Sequence, residues 1–141
     1  MQVNCPKRVR TVESWDDEGG IGPPGATWLE KEQAWNFTLY SRHATGVTLL
    51  LYGATDFVKP LFKLQLNPLK NKTARIWHCL VPRTSALVAR YYAYRVEGPW
   101  DPKNGHRFNP DKILSDPYAE EVFFPPDFEL RQRQEVCQYW G

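Results

Sequence analysis

The sequence predicts an all-β protein, an antiparallel sandwich or barrel followed by an irregular, proline-rich C-terminal connector. Two observations carry that prediction. Five short runs with strand character recur at roughly ten-residue spacing, each separated from the next by turn chemistry. The 141 residues also include 12 Pro and show no sustained 3.6-residue apolar period, which argues against a helical bundle because an interior Pro costs a helix roughly 3 kcal/mol. The length is that of one ordinary domain.

Taken in order, residues 1–20 are polar and end in SWDDEGG, and they read as a flexible N-terminal tail. IGPPGA punctuates the start of the folded part, a β-sandwich expected over residues 21–104. In AWNFTLY, residues 34–40, Trp35, Phe37 and Leu39 alternate with Asn36, Thr38 and Tyr40. This is the period-2 pattern of a half-buried strand, with Trp35 in the core. SRHATG is a turn, and VTLLLYG, residues 47–53, is a more fully apolar strand. FKLQL (62–66) alternates again, NPLKNK is a turn, and ARIWHCLVP (74–82) is a fourth strand. After the RTSAL connection, ARYYAYRVEG (89–98) is a fifth. Residues 105–141 read as connector, with a weak helical stripe of Leu130, Gln134 and Cys137 at its end.

Composition excludes several function classes. There are 18 Lys and Arg against 16 Asp and Glu, scattered rather than striped, so the electrostatic footprint of a nucleic-acid binder is missing. Cys5, Cys79 and Cys137 form an odd, widely spaced set without a C-x-x-C pair, which gives neither a zinc site nor a complete disulfide framework. The N-terminus lacks the apolar core of a signal peptide. The most apolar run, GVTLLLYG, is far shorter than the ~20 residues of a membrane helix. A cytoplasmic protein with no membrane partner is expected.

A search for catalysis finds little. His43, His78 and His106 have no metal-ligand spacing among them. His78, between Trp77 and Cys79 in a predicted strand, reads as structural. No nucleophile elbow, phosphate loop or dinucleotide fingerprint occurs, and GIGPPG is a poor phosphate cradle because proline has no N–H to donate. The carboxylate pairs Asp16–Asp17 and Glu120–Glu121 are not set on opposing rigid elements, as glycoside hydrolysis requires. No cofactor, metal or catalytic residue is assigned.

Residues 91–119, YYAYRVEGPWDPKNGHRFNPDKILSDPYA, strongly resemble the end of the N-terminal domain of bacterial glycogen debranching and isoamylase-type enzymes. These are members of the α-amylase superfamily, glycoside hydrolase family 13. GATWLEKEQAWNFTLYSRHATGVTLLLY is similar to the family's opening strands, and ARIWHCLVP to its I-W-H-x-x-x-P strand. The resemblance runs from about residue 24 to about residue 126. It implies an immunoglobulin-like β-sandwich of the carbohydrate-binding module 48 type. For the whole enzyme it implies hydrolysis of α-1,6-glucosidic branch linkages in glycogen or limit dextrin. The family's catalytic carboxylates lie on a (β/α)8 barrel of about 250 residues, so none transfers to this chain, which is expected to be inactive alone. LRQRQEVCQYWG shows no continuation into that barrel.

The resemblance also nominates residues. Glycogen-binding relatives use two Trp and a Lys, and Trp100 stands at the second Trp position. Ala93 replaces the Lys, and Phe57 is the nearest aromatic to the first Trp. Trp100 is therefore a candidate α-glucan contact or a packing anchor, and Trp77 is a candidate with core and surface readings left open. Gly105 is read as a tight turn and Arg107 as a planar fork for a carboxylate or carbonyl. Phe108 is read as an apolar plug and Asn109 as setting the chain's exit. With His106, Asp116 and Tyr118 these form an expected interdomain fastener toward a barrel in cis. The alternative is a free-standing glucan-binding or scaffold module.

Overall fold

A computed structural model describes residues 18–56, 58–119 and 121 of the chain. The strands, in chain order, are β1 (Gly25–Leu29), β2 (Ala34–Tyr40), β3 (Gly46–Tyr52), β4 (Phe62–Gln65) and β5 (Lys72–Thr73). They continue with β6 (Ile76–Pro82), β7 (Tyr91–Glu97), β8 (Trp100–Asp101) and β9 (His106–Arg107). The five strands expected from periodicity are β2, β3, β4, β6 and β7, displaced by no more than two residues at either end. RTSA coils into a single helical turn, α1 (Arg83–Ala86). The strands β5, β8 and β9 have two residues each, too short to show a period.

All pairings are antiparallel, and they build a sheet β1-β2-β6-β5 facing a sheet β4-β3-β7. This is the predicted antiparallel sandwich. The core lies between the sheets, because alternate residues of each strand point to the same face. Phe37 and Leu39 of β2 and Trp77, Cys79 and Val81 of β6 meet Val47, Leu49 and Leu51 of β3, Leu64 of β4, and Tyr94 and Val96 of β7. Phe37 and Tyr92 cross the gap edge to face at 5.0 Å, the arrangement that aromatic quadrupoles favour.

Two expectations about tryptophan are corrected here. Trp77 has 0 % of its surface exposed. It sits opposite Leu39 in the centre of the sheet, with the Lys72 ammonium 4.9 Å from its ring centroid. No ring face is left for a sugar, so Trp77 is a core residue. Trp35, placed in the core by its alternation with Phe37 and Leu39, is 36 % exposed. It occupies the second register from the β1–β2 turn, between Trp28 and the fully buried Val81, and its ring meets Trp28 edge to face at the margin of the core.

The polar row of β2 is also buried. The Asn36 side-chain amide donates to the Gly20 carbonyl at 2.9 Å and accepts from the Gly20 N–H at 3.2 Å. The Thr38 hydroxyl donates to the Pro23 carbonyl at 2.8 Å. His78, on the neighbouring strand, contacts the Glu18 carbonyl through Nδ1, and its Nε2 lies 2.8 Å from the Thr73 hydroxyl. Residues 18–23 are thus laid along the outer face of the first sheet, and the Asn36, Thr38 and His78 side chains each find a partner there. The expected tail over residues 1–20 is fastened at its described end. Phe57, the remainder of that tail and the helical stripe near Cys137 fall outside the described residues.

Trp77→Ala removes the largest fully buried side chain, so its expected cost is about 3–5 kcal/mol, a large share of a small domain's stability. Trp100→Ala, at an exposed position, is expected to stay within about 0.5 kcal/mol. Urea unfolding followed by circular dichroism compares the two, and equal losses contradict this assignment of core and surface.

Candidate functional site

The residues singled out in the sequence converge on the segment that leaves β7. Strands β8 and β9 form a small hairpin pairing Trp100 with Arg107 and Asp101 with His106. Pro102 opens its 3-10 turn, where its fixed φ suits the first position and no N–H is needed. Asn104 donates to the Asp101 carboxylate at 2.6 Å, and Gly105 closes the turn at φ 81°, a left-handed conformation that glycine adopts at no steric cost. Directly opposed residues of an antiparallel pair share a face. Trp100 and Arg107 therefore stand together, both exposed, with Trp100 at 63 %.

The other face of the hairpin turns inward. The His106 ring meets His43, from the turn between β2 and β3, edge to face at 4.3 Å. Desolvation first, then the charges of His106, Arg42 and Arg75, holds His43 below the ordinary imidazole value of 6.5. Phe108 lies on Gly98: a Cβ at that glycine would stand 2.5 Å from the ring, so the G-P-W and H-R-F parts of the segment fit only with glycine there. The far side of Phe108 packs on the main core.

Beyond Phe108 the chain turns back along the sandwich. The Asn109 side chain accepts from the Asp111 N–H at 2.9 Å, forming a tight local turn. Leu114 then pairs with Tyr94 through two backbone hydrogen bonds of 2.8 Å. The buried Asp116 carboxylate accepts from the Tyr92 hydroxyl at 2.9 Å and from the Tyr118 N–H at 2.8 Å. Burial raises the Asp116 pKa above the ordinary carboxylate value, outweighing the two hydrogen bonds that lower it. The Tyr118 backbone rests on Gly25 of β1, its ring outward. Of the expected fasteners, His106, Phe108 and Asp116 engage the sandwich, Asn109 closes a local turn within the connector, and Arg107 and Tyr118 stay exposed.

Ala93, expected from the resemblance to replace a lysine, is buried on the outer face of the second sheet with Leu50 and Tyr52, and Ile113 of the returning segment packs over them. Ala93 itself offers no ammonium, although Lys63 stands on the same face opposite Leu50; the outward side of the hairpin, with Trp100 and Arg107 exposed together, is the candidate site. The His43–His106 pairing was not legible in the sequence, because it depends on how a turn and a distant hairpin meet.

A family model for carbohydrate-binding module 48 (isoamylase N-terminal domain) matches residues 23–119. The glycogen debranching enzyme of Serratia proteamaculans (strain 568) is 43% identical over 90 residues, 64% of this chain and 12% of that protein. The glycogen debranching enzyme of Cronobacter sakazakii (strain ATCC BAA-894) is 39% identical over 108 residues, 74% of this chain and 14% of that protein. The chain thus spans a small fraction of the length of the curated relatives it matches. Among solved structures, Group B Streptococcus pullulanase SAP in complex with maltotetraose gives a TM-score of 0.51 at 18% identity, over 73% of this chain and 12% of that one. The product complex of the pneumococcal glycogen-degrading virulence factor SpuA gives 0.50 at 22% identity, over 72% and 10%. These two likenesses concern the fold.

Because the folded chain holds the His43 proton less tightly than an unfolded chain does, the stability this pair contributes is full above the ordinary imidazole pKa. It is lost as the pH falls from that value through the lower pKa of the folded state. A proton NMR titration is expected to give His43 a midpoint below a free imidazole's, moving upward in His106→Ala. A midpoint at the free value in both proteins contradicts the pairing.

Proposed function

The chain belongs to the carbohydrate-binding module 48 (isoamylase N-terminal domain) family, and from that premise we propose that it helps a glycogen debranching or isoamylase-type enzyme hold α-glucan. In this reading the full-length enzyme hydrolyses α-1,6-glucosidic branch linkages of glycogen or limit dextrin on a (β/α)8 barrel in cis. The present domain positions glucan and packs against that barrel, and it carries no hydrolytic step of its own. The cysteine pattern supports a cytoplasmic setting. Among the described residues no helix is long and apolar enough to cross a membrane.

The observation that carries the proposal is the exposure of Trp100 beside Arg107 on a hairpin anchored by His106 against His43 and by Phe108 on Gly98. An indole face suits the apolar C–H face of a glucose ring, and a nearby Arg107 guanidinium suits its hydroxyls. Many weak contacts of this kind on a branched polymer add through effective concentration. The free-standing module has one observation in its favour: Phe108 and Asp116 are engaged with the sandwich and Asn109 within its own turn, so none of the three needs a barrel to satisfy it.

Affinity electrophoresis through a glycogen-containing gel tests the proposal. The wild-type chain is expected to be retarded, and Trp100→Ala to bind about tenfold more weakly, the equivalent of roughly 1.4 kcal/mol. Wild-type migration unaffected by glycogen overturns it.

A further inference from the structure

We propose a second α-glucan-binding site at the opposite end of the sandwich, built on Trp35 and Trp28 with Glu30, Gln33 and Arg83. It rests on the carbohydrate-binding reading of the family and is independent of Trp100. The four-residue turn between β1 and β2 sets Trp28 directly across from Trp35. Their rings meet edge to face at 5.5 Å and 62°, and part of the Trp35 ring stays open to solvent.

Beside the two rings lies a connected polar set. The Trp28 indole N–H donates to one Glu30 carboxylate oxygen at 2.6 Å, and the Gln33 amide donates to the other at 3.1 Å. The same amide donates to the Glu30 carbonyl at 2.8 Å. Arg83, at the start of α1, donates its backbone N–H to the Gln33 carbonyl at 3.0 Å and reaches the Gln33 side-chain oxygen at 3.5 Å. Gln33 holds φ at 48°, a left-handed conformation unusual for a residue with a side chain, which persists where its surroundings over-determine it.

Three properties point to a sugar rather than a protein surface. The carboxylate oxygens each keep a free lone pair, and the exposed guanidinium keeps most of its five N–H donors. Acceptor and donor are therefore linked through Gln33, with the acceptor on the Trp28 indole N–H, an arrangement that fits vicinal hydroxyls on a pyranose whose C–H face lies on Trp35. The centre of a protein–protein interface, in contrast, is depleted in carboxylates such as Glu30, while tryptophan and arginine are common to both kinds of surface. The two sites are also well separated. Trp35 lies at the start of β2, whereas the Trp100 hairpin meets His43 just past its end. Seven residues of strand span roughly 20 Å, so one glucan chain or two branches can engage both ends of the domain.

The test is a maltoheptaose titration of the nitrogen-15-labelled 141-residue chain, reading the six Trp indole N–H signals. Trp28→Phe, Trp35→Phe and Trp100→Phe assign them. The Trp28 and Trp35 signals are expected to shift to saturation in the wild type and also in Trp100→Ala. Trp35→Ala is expected to weaken binding at this end about tenfold, and Glu30→Gln gives a second, milder perturbation that keeps both rings. Stationary Trp28 and Trp35 signals with a moving Trp100 overturn this site and leave the proposed function standing. Movement of Trp28 and Trp35 with a stationary Trp100 supports this site and removes the other. If no signal moves, both fall.

Discussion

The free edge of β7 is the constraint on which the rest of the domain turns. A sheet edge with unpaired N–H and C=O groups invites pairing with another chain, and folded proteins cover such edges. Here β7 is the outer strand of the β4-β3-β7 sheet, and the chain covers it by returning to its own strand, Leu114 against Tyr94. Two more contacts follow from that return. Asp116 is brought under the Tyr92 hydroxyl, and Tyr118 is carried to Gly25 at the edge of the other sheet. The returning segment thereby ties the two sheets together along one side of the sandwich.

The same constraint accounts for the exposed hairpin. Residues that leave β7 at Glu97 and must pair with Tyr94 have to reverse direction within a short span. The β8–β9 hairpin and the Asn109 turn supply that reversal. Its base is held by Phe108 on Gly98 and its inner face by His106 on His43, which leaves Trp100 and Arg107 as the outward pair. An outward-facing tryptophan on so short a hairpin is held in place by contacts made on its inner side. The Asp116 carboxyl shows the tension in this design: its burial disfavours charge, and the Tyr92 and Tyr118 hydrogen bonds restore part of what burial takes away.

Much of the fold was legible, and the limits of legibility have physical causes. The five main strands declared themselves because alternation of side chains between two faces is a local property of an extended chain. Which face was covered did not, because that depends on remote segments. Asn36 and Thr38 look like a solvent-facing row until residues 18–23 are laid across them. Trp35 and Trp77 both stand in apolar rows, yet one is left part-exposed beside Trp28 near the β1–β2 turn and the other is fully enclosed. The connector's importance was legible from its resemblance to a known family. Its partners were not, since Phe108 against Gly98 and Asp116 against Tyr92 are contacts set by the return of the chain.

Hydrogen exchange of the 141-residue chain tests the central claim most directly, namely that the segment after β7 folds back onto its own sandwich. The Leu114 and Tyr94 amides are the ones to follow, because each donates to the other residue's carbonyl. If the return strand is an integral part of the domain, both exchange slowly and together with the β3–β7 ladder. A Leu114 amide exchanging at the rate of an unstructured peptide, beside a protected β3–β7 ladder, contradicts the account.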